Sequence, residues 1–449
     1  MKRLIVTIVA LCALTAASAQ MRTSYFMEGS YFRTDLNPAL APTRSYIALP
    51  VMSGMGMGMN NNFLSVDNFI YSREGQTVTA LDSRVESSEF LNKLPQLGHL
   101  SLNSNINILG VGFYTKKMFW NFGINARIGV DFTAGKELFS ALKNLGNHTY
   151  DLTTVGVDGS AYTEVYLGFN RRVTKWMAIG ARVKGIVGIA NVNGSVTSGN
   201  FNITKSEVVG NVYGQLRGSC MMINSNYTRG EIEDTSELFL EEFNPKDIGK
   251  SWGLAVDFGA EVRLLSDHLR LSVGVTDLGF TKWSSSGAAA AEFNYGFKYR
   301  GMNIDTGEWD AEADGGLTMT EPMGYTRRLN ATLNIGAEYN ILNNHIAFGL
   351  LSHTEFRQLY TLSELTASVN FRLGKVFTTT LSHTFCGRNR PGIFGFALNL
   401  HTAGPNLFFG ADYIDTSYVA AGQAIAPKFQ KSFNFYMGMG LNISKYKRY

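Results

Sequence analysis

Residues 119–133 read FWNFGINARIGVDFT. From Trp120 to Phe132 every second residue is apolar, and the residues between are Asn121, Gly123, Asn125, Arg127, Gly129 and Asp131. Successive side chains on a strand point to opposite faces, so this segment has one hydrocarbon face and one polar face. Strands in soluble domains usually end after about 5–6 residues, and this pattern runs far beyond that. A strand tilted across a bilayer needs about 9–11 residues, and its sheet must close because lipid offers an open edge no hydrogen bonds. The alternation predicts a wall strand of a transmembrane barrel, apolar side to lipid and polar side to the lumen.

The same alternation recurs in SYIALPVMSGMGMGM (45–59), LAVDFGAEV (254–262), LNATLNIGAEY (329–339) and FNFYMGMGLNI (433–443). It is also present in GHLSLNSNINILGVGF (98–113), with a phase shift at Leu109 of the kind a bulge makes. Connections alternate in length. Short polar turns fall at 115–117, 173–175, 266–268, 343–344, 374–375 and 402–406, and long ones at 60–97, 134–159, 191–250, 280–326 and 415–430. Tight turns at one end and long loops at the other are the asymmetry of bacterial outer-membrane barrels. The expected fold class is all-β, a transmembrane antiparallel β-barrel of about 14 strands over 45–449. Within 191–250, SEVVGNVYGQLRGS reads either as a further wall hairpin, giving about 16 strands, or as strand extensions beyond the membrane.

A hydrophobic content of 45% excludes a disordered chain. A mean hydropathy of −0.04, with no apolar run of spanning-helix length after Gln20, excludes a bundle of membrane helices. The net charge of +4 is small and scattered, so nucleic acid is not an expected partner. No regular repeat supports a solenoid.

MKR, the apolar run LIVTIVALCALTAA and Ala17-Ser18-Ala19 form a secretory signal over residues 1–19, cleaved near Ala19-Gln20. Leu11 is a poor residue for lipoprotein processing at Cys12. The expected location is the bacterial outer membrane. Beyond the signal only Cys220 and Cys386 remain, too few for a disulfide framework.

Residues 20–44, QMRTSYFMEGSYFRTDLNPALAPTR, mix aromatics with proline and are too apolar for a free tail. They are expected to fold back into the lumen as a plug or hatch. At Asn37-Pro38-Ala39-Leu40, Asn before Pro favours a turn. Placed just before the first strand of an exported barrel, this NPA motif resembles the superfamily of the long-chain fatty-acid outer-membrane transporter. The whole layout is similar to a Bacteroidota branch with no settled activity, which shares a first strand like SYIALPVMSG and a segment like SVGVTDLGFTKW (272–283). Barrels linked to type IX secretion are relatives of that branch. The resemblance implies 14 strands and an N-terminal hatch, with Asn37, Pro38, Ala39 and Leu40 in the part that moves to open a ligand path. The alternative is that these residues only form the turn into the first strand.

If the phase is read correctly, Arg127, Asp131, Glu164, Arg182 and Lys184 point inward, as do Asp257, Glu261, Arg270, Glu338 and Arg372. Both signs occur, so a strongly ion-selective pore is not described. Arg127, Arg182 and Glu261 are candidates for the edge of a ligand path. Luminal ion pairs that hold the plug are the competing role for them. Trp120, Trp176 and Trp283 are candidate membrane-interface anchors.

No G-x-S-x-G elbow or H-E-x-x-H helix is present. In Ser352-His353 and Ser382-His383 the adjacent side chains point to opposite faces of a strand. DAEADGG (310–316) fails calcium-loop spacing. No catalytic residue, metal or cofactor is expected. Two functions remain: passive transport of a small hydrophobic compound through a hatch-gated lumen, or a non-enzymatic docking barrel for protein secretion or surface attachment. The expected partners are outer-membrane lipid and lipopolysaccharide, with a small hydrophobic ligand in the first case and a secretion or surface protein in the second.

Overall fold

The computed structural model describes residues 22–48, 53–116, 118–143, 149–203, 208–220, 230–231, 248–285, 287–302, 309–321, 323–385, 393–414, 418–421, 424–427 and 432–446. The expected signal peptide, its expected cleavage point and Cys386 lie outside the described residues. Fourteen antiparallel strands form a closed ring. They are β1 (Tyr46–Ala48 and Gly54–Asn61), β2 (Leu97–Thr115), β3 (Met118–Gly135), β4 (Gly156–Arg172) and β5 (Met177–Ile203). Next come β6 (Trp252–Leu264), β7 (Leu269–Trp283), β8 (Tyr325–Arg328 and Ala331–Ile341), β9 (Ile346–Phe356) and β10 (Thr361–Leu373). The ring ends with β11 (Phe377–Phe385), β12 (Ile393–His401), β13 (Pro405–Ile414) and β14 (Phe433–Asn442). Each pairs with the next, and β14 closes on β1 through Ile47↔Leu441 and Met57↔Phe435.

The alternation sets the faces. Phe122, Leu167, Val183, Phe258, Ile335 and Leu350 stand exposed on the outer surface. All ten charged residues expected inside are there: Arg127 is partly buried and the other nine are buried. Trp120 and Trp176 lie on or beside the outer face near the short turns, and Trp252 is exposed at the opposite end. Trp283 is a correction. Its side chain is only 2% exposed and packs beside Gly188 and Ser251, so it fills space behind the wall and does not anchor in lipid.

Bulges break the two-residue period between β12 and β13, at Phe394 and Phe396, and at three further wall positions. Ile108 is extra in β2, Ile189 in β5, and β6 meets β7 out of step between Val256 and Phe258. At the last of these Asp277 adopts φ +61, a conformation non-glycine residues rarely take. The carboxylate thereby joins Thr276 among the buried residues, although strict alternation with Val273 and Val275 would send it to lipid.

Beyond the rim β5 continues, and its outer half leaves β6 to pair with a strand at Val208–Cys220. That strand pairs with Ala288–Met302, which pairs with Trp309–Thr320. These three strands form a flap on the long-loop end, so 191–250 supplies strand extensions and the wall stays at 14. The stretch 280–326, expected to be connection only, contributes two of them. Residues 62–96 and the helix Lys136–Lys143 form a separate cap at the same end. Its core is Phe63, Tyr71, Val78, Ala80, Val85, Phe90 and Leu94, with Phe69 and Phe139 against it.

Candidate functional site

Residues 22–44 lie inside the ring, nearly all of them buried. Their aromatic part packs near the β14–β1 seam, where Tyr31 stacks on Tyr46 at 4.6 Å and Phe32 meets Phe408 at 5.4 Å. From Leu36 onward the segment crosses the lumen as a strap. The Asn37 side-chain oxygen accepts from the Ala39 amide (2.9 Å), which is the turn expected of Asn-Pro. Its amide group donates to the Tyr25 hydroxyl (3.0 Å).

One cross-strand row holds the strap. Asn170 on β4 is opposite Gly180 on β5, Gly180 opposite Gly259 on β6, Gly259 opposite Gly274 on β7, and Gly274 opposite Asn334 on β8. The three glycines form a shelf. A methyl group at Gly180 would meet the Pro38 carbonyl oxygen at 2.2 Å, and one at Gly259 would meet the Asn37 side-chain oxygen at 2.0 Å. The asparagines close the ends: Asn334 donates to the Leu36 carbonyl (2.9 Å), and Asn170 donates to the Ala39 and Pro38 carbonyls. The strap's backbone is gripped by two asparagine side chains and lies over glycine, so the contact demands small wall residues beneath it.

Charge surrounds the shelf on two sides. On the β3–β7 wall Lys184 Nζ lies 2.9 Å from Asp257 and 2.6 Å from Asp277. Arg127 reaches Glu164 (3.0 Å) and Asp277 (3.2 Å). Arg182 extends from this cluster to the strap, meeting Asp35 at 2.7 Å and Thr34 at 3.0 Å while lying over the Tyr166 ring. On the β7–β10 wall Arg270 and Arg372 enclose Glu28 of the plug together with Glu338. Arg372 also donates to the Phe26 carbonyl (3.0 Å).

The strap divides space. Toward the short turns lies a cavity of about 470 Å3, where Ala39, Leu40, Ala41 and Pro42 face Val173 and Ala178, and Arg33, Arg172, Lys175, Glu261, Arg263 and Arg270 also line it. On the other side Asp35 and Leu36 bound a polar cavity of about 130 Å3, lined by Arg127, Asp277, Asn334 and Arg357 among others. Of the residues singled out from sequence, Asn37, Pro38, Ala39 and Leu40 thus come together with Arg182 near one end of their segment. Arg127 lines the smaller cavity away from the strap. Glu261 lines the larger one and pairs with Arg263 (2.9 Å). The glycine shelf, Asn170, Asn334 and Asp277 were not singled out. The signal for the shelf was glycine at luminal-phase positions of three successive strands, and for Asp277 a bulge hid it.

Among the described residues no group of three or more His, Cys, Asp or Glu could hold a metal ion. His353 is buried between Asn334 (2.6 Å) and Glu355 (3.3 Å), and serves as part of the wall's hydrogen-bond network.

No curated protein matches the chain. Among solved structures it is similar to the Pseudomonas putida toluene transporter TodX, at 7% identity over 95% of this chain and 94% of that one, with a TM-score of 0.37. A TodX deltaS2S3 mutant monoaromatic hydrocarbon channel gives 9% identity, 91% and 93% coverage and a TM-score of 0.42. An outer membrane channel from Pseudomonas putida F1 gives 11%, 88% and 97%, and 0.30. The model of a family of unknown function, DUF5723, matches residues 38–412, and the chain belongs to that family.

Proposed function

We propose that this barrel is a passive, non-catalytic channel of the outer membrane for a small hydrophobic compound, with residues 22–44 as its gate. The observation that carries the reading is the partition. One strap of chain, Leu36–Leu40, separates two luminal cavities and is held mainly by hydrogen bonds to its backbone and by close fit on glycine. A contact of that kind releases without leaving a bulky side chain in the path. The surface Ala39–Pro42 toward the larger cavity supports an apolar part of the cargo, and the charged lining, Arg33, Arg172, Arg263 and Glu261 among it, supports a polar end. A docking role in secretion has no comparable feature in its favour among the described residues.

The test is conductance of the refolded barrel in a planar bilayer. Deleting residues 21–40 should raise it strongly, and Gly259→Val, which pushes a side chain into Asn37, should raise it in part. Conductance unchanged in both would overturn the gate. Native mass spectrometry of the barrel from its own membrane reads the cargo class: a bound apolar compound supports it, and a stoichiometric protein partner supports docking instead.

A further inference from the structure

Below the shelf of glycines the next luminal row changes character. Two residues nearer the short turns, Arg172 is opposite Ala178, Ala178 opposite Glu261 and Glu261 opposite Ser272. In the row after that, Arg263 is directly opposite Arg270. Ala178, small between two long side chains, leaves room for the larger cavity directly beneath the strap. That cavity reaches the turn at 173–175, where Val173, Thr174 and Lys175 are exposed. It is therefore approached from the short-turn end, the periplasmic end of an outer-membrane barrel.

Arg33 of the plug lines this cavity although only 6% of it is exposed. Its Nε is buried without a hydrogen-bond partner, and among the described residues its guanidinium makes no hydrogen bond and no ion pair. Both carboxylates of the lining are engaged by other arginines. Glu261 pairs with Arg263 at 2.9 Å, and Glu28 pairs with Arg270, which Asp267 also meets at 2.7 Å. A guanidinium held out of water with open donors is costly, and an oxyanion offsets that cost through charge-assisted, bidentate bonds. Arg172 and Lys175 add positive charge from the wall side, and Ala39, Leu40, Pro42 and Val173 add apolar contact.

We propose that this cavity binds a small organic oxyanion, a phosphate ester or carboxylate with a short apolar body, that enters from the periplasm and holds the gate shut. Arg33 meets the charged group from the plug, Arg172 and Lys175 meet it from the wall, and the body lies under Ala39–Pro42. A cavity of about 470 Å3 fits a compound of that size. Arg33 belongs to the plug and Arg172 to β4, so the bound anion ties one to the other. A ligand that binds only when both are in place stabilises the closed barrel. It is a brake, not the cargo. Binding stands on the geometry of the cavity, and the effect on opening rests on the channel reading above.

The full-length barrel, refolded in detergent, is titrated calorimetrically with phenyl phosphate, and with benzyl alcohol as its neutral counterpart. Phenyl phosphate should bind saturably and benzyl alcohol should not. Arg33→Gln should weaken binding about tenfold. Ala178→Phe, which fills the cavity from the wall, should abolish it and serves if the first variant does not give a folded, heat-modifiable band. In a planar bilayer, phenyl phosphate on the short-turn side, at a concentration equal to its Kd, should lower the mean conductance of Gly259→Val by up to about twofold. Absent binding, wild-type affinity in both variants, equal binding of benzyl alcohol, or conductance raised by phenyl phosphate would each overturn the proposal. Failed binding beside raised conductance of the 21–40 deletion would leave the gate standing. Intact binding beside unchanged conductance of that deletion would keep the anion site and remove the gate, and the brake with it.

Discussion

Inside the barrel on the β3–β7 side, Lys184 sits among Asp257, Asp277 and Glu164. At the long-loop end, Phe63, Tyr71, Val85 and Phe90 pack together, and the cap's ion pairs, such as Arg84 with Asp82, stay at its surface. This side of the lumen is built like a protein surface turned inward, and the cap like a small soluble domain. The wall's hydrocarbon face is committed to lipid, so here residues 22–44 are held by directional polar contacts, whereas at the β14–β1 seam Tyr31 and Phe32 pack in an apolar cluster. The cap's core, which also takes in Leu100 of β2, uses non-directional burial. A polar interior fixes position and tolerates little loss. An apolar one tolerates repacking.

Removing one charge should separate the two regions most sharply. Lys184→Ala leaves three carboxylates facing one another in a buried site, and the loss should be roughly 3–5 kcal/mol. Urea unfolding of the refolded barrel in detergent should show it as a global drop in midpoint. An unchanged midpoint would mean that the cluster rearranges freely, and the contrast with the cap would fail. Phe90→Ala should cost the cap about 3 kcal/mol, from a cavity in its core. That loss should appear as faster proteolysis within 62–96 while the barrel's own unfolding midpoint stays put. A coupled fall in both would show that cap and wall are one cooperative unit.

The smallest effect belongs to Asp82. Hydrogen bonds from Arg84 hold its carboxyl well below the ordinary carboxylate value. A depressed carboxyl contributes stability above its unfolded value and loses it as pH falls through the folded one. Cap proteolysis should therefore be flat from neutral pH down to the ordinary carboxylate range. Asp82→Asn should barely change the neutral-pH rate, because the pair is exposed to solvent. A large change would place a surface pair on a level with the luminal cluster.

Much of the wall was legible because lipid on one side and polar groups on the other enforce a strict period. The alternating segments 254–262, 329–339 and 433–443 fall on β6, β8 and β14, and β5 runs on into the flap. The period failed where the sheet is not two-sided. GAAAA (287–291) has no alternation to read, so a flap strand looked like connection. Asp277 and Trp283 share one stretch of β7 in which a bulge and burial both break the face rule. The NPA turn could be read locally. Its shelf could not, because Gly180, Gly259 and Gly274 become neighbours only through the register of three strands.

The seam between β1 and β14 has a kinetic side. Arg44 and Ser45, where the plug hands over to the wall, bond to Ser444 at the other end of the chain. A contact between residues 399 positions apart is among the last a chain can make, since every intervening loop must already have been ordered. Barrel closure and the fixing of the start of the first strand therefore meet at one place. A strap still outside when the seam zips has no edge left through which to enter. Order of assembly, as much as final affinity, decides whether residues 22–44 end inside the ring.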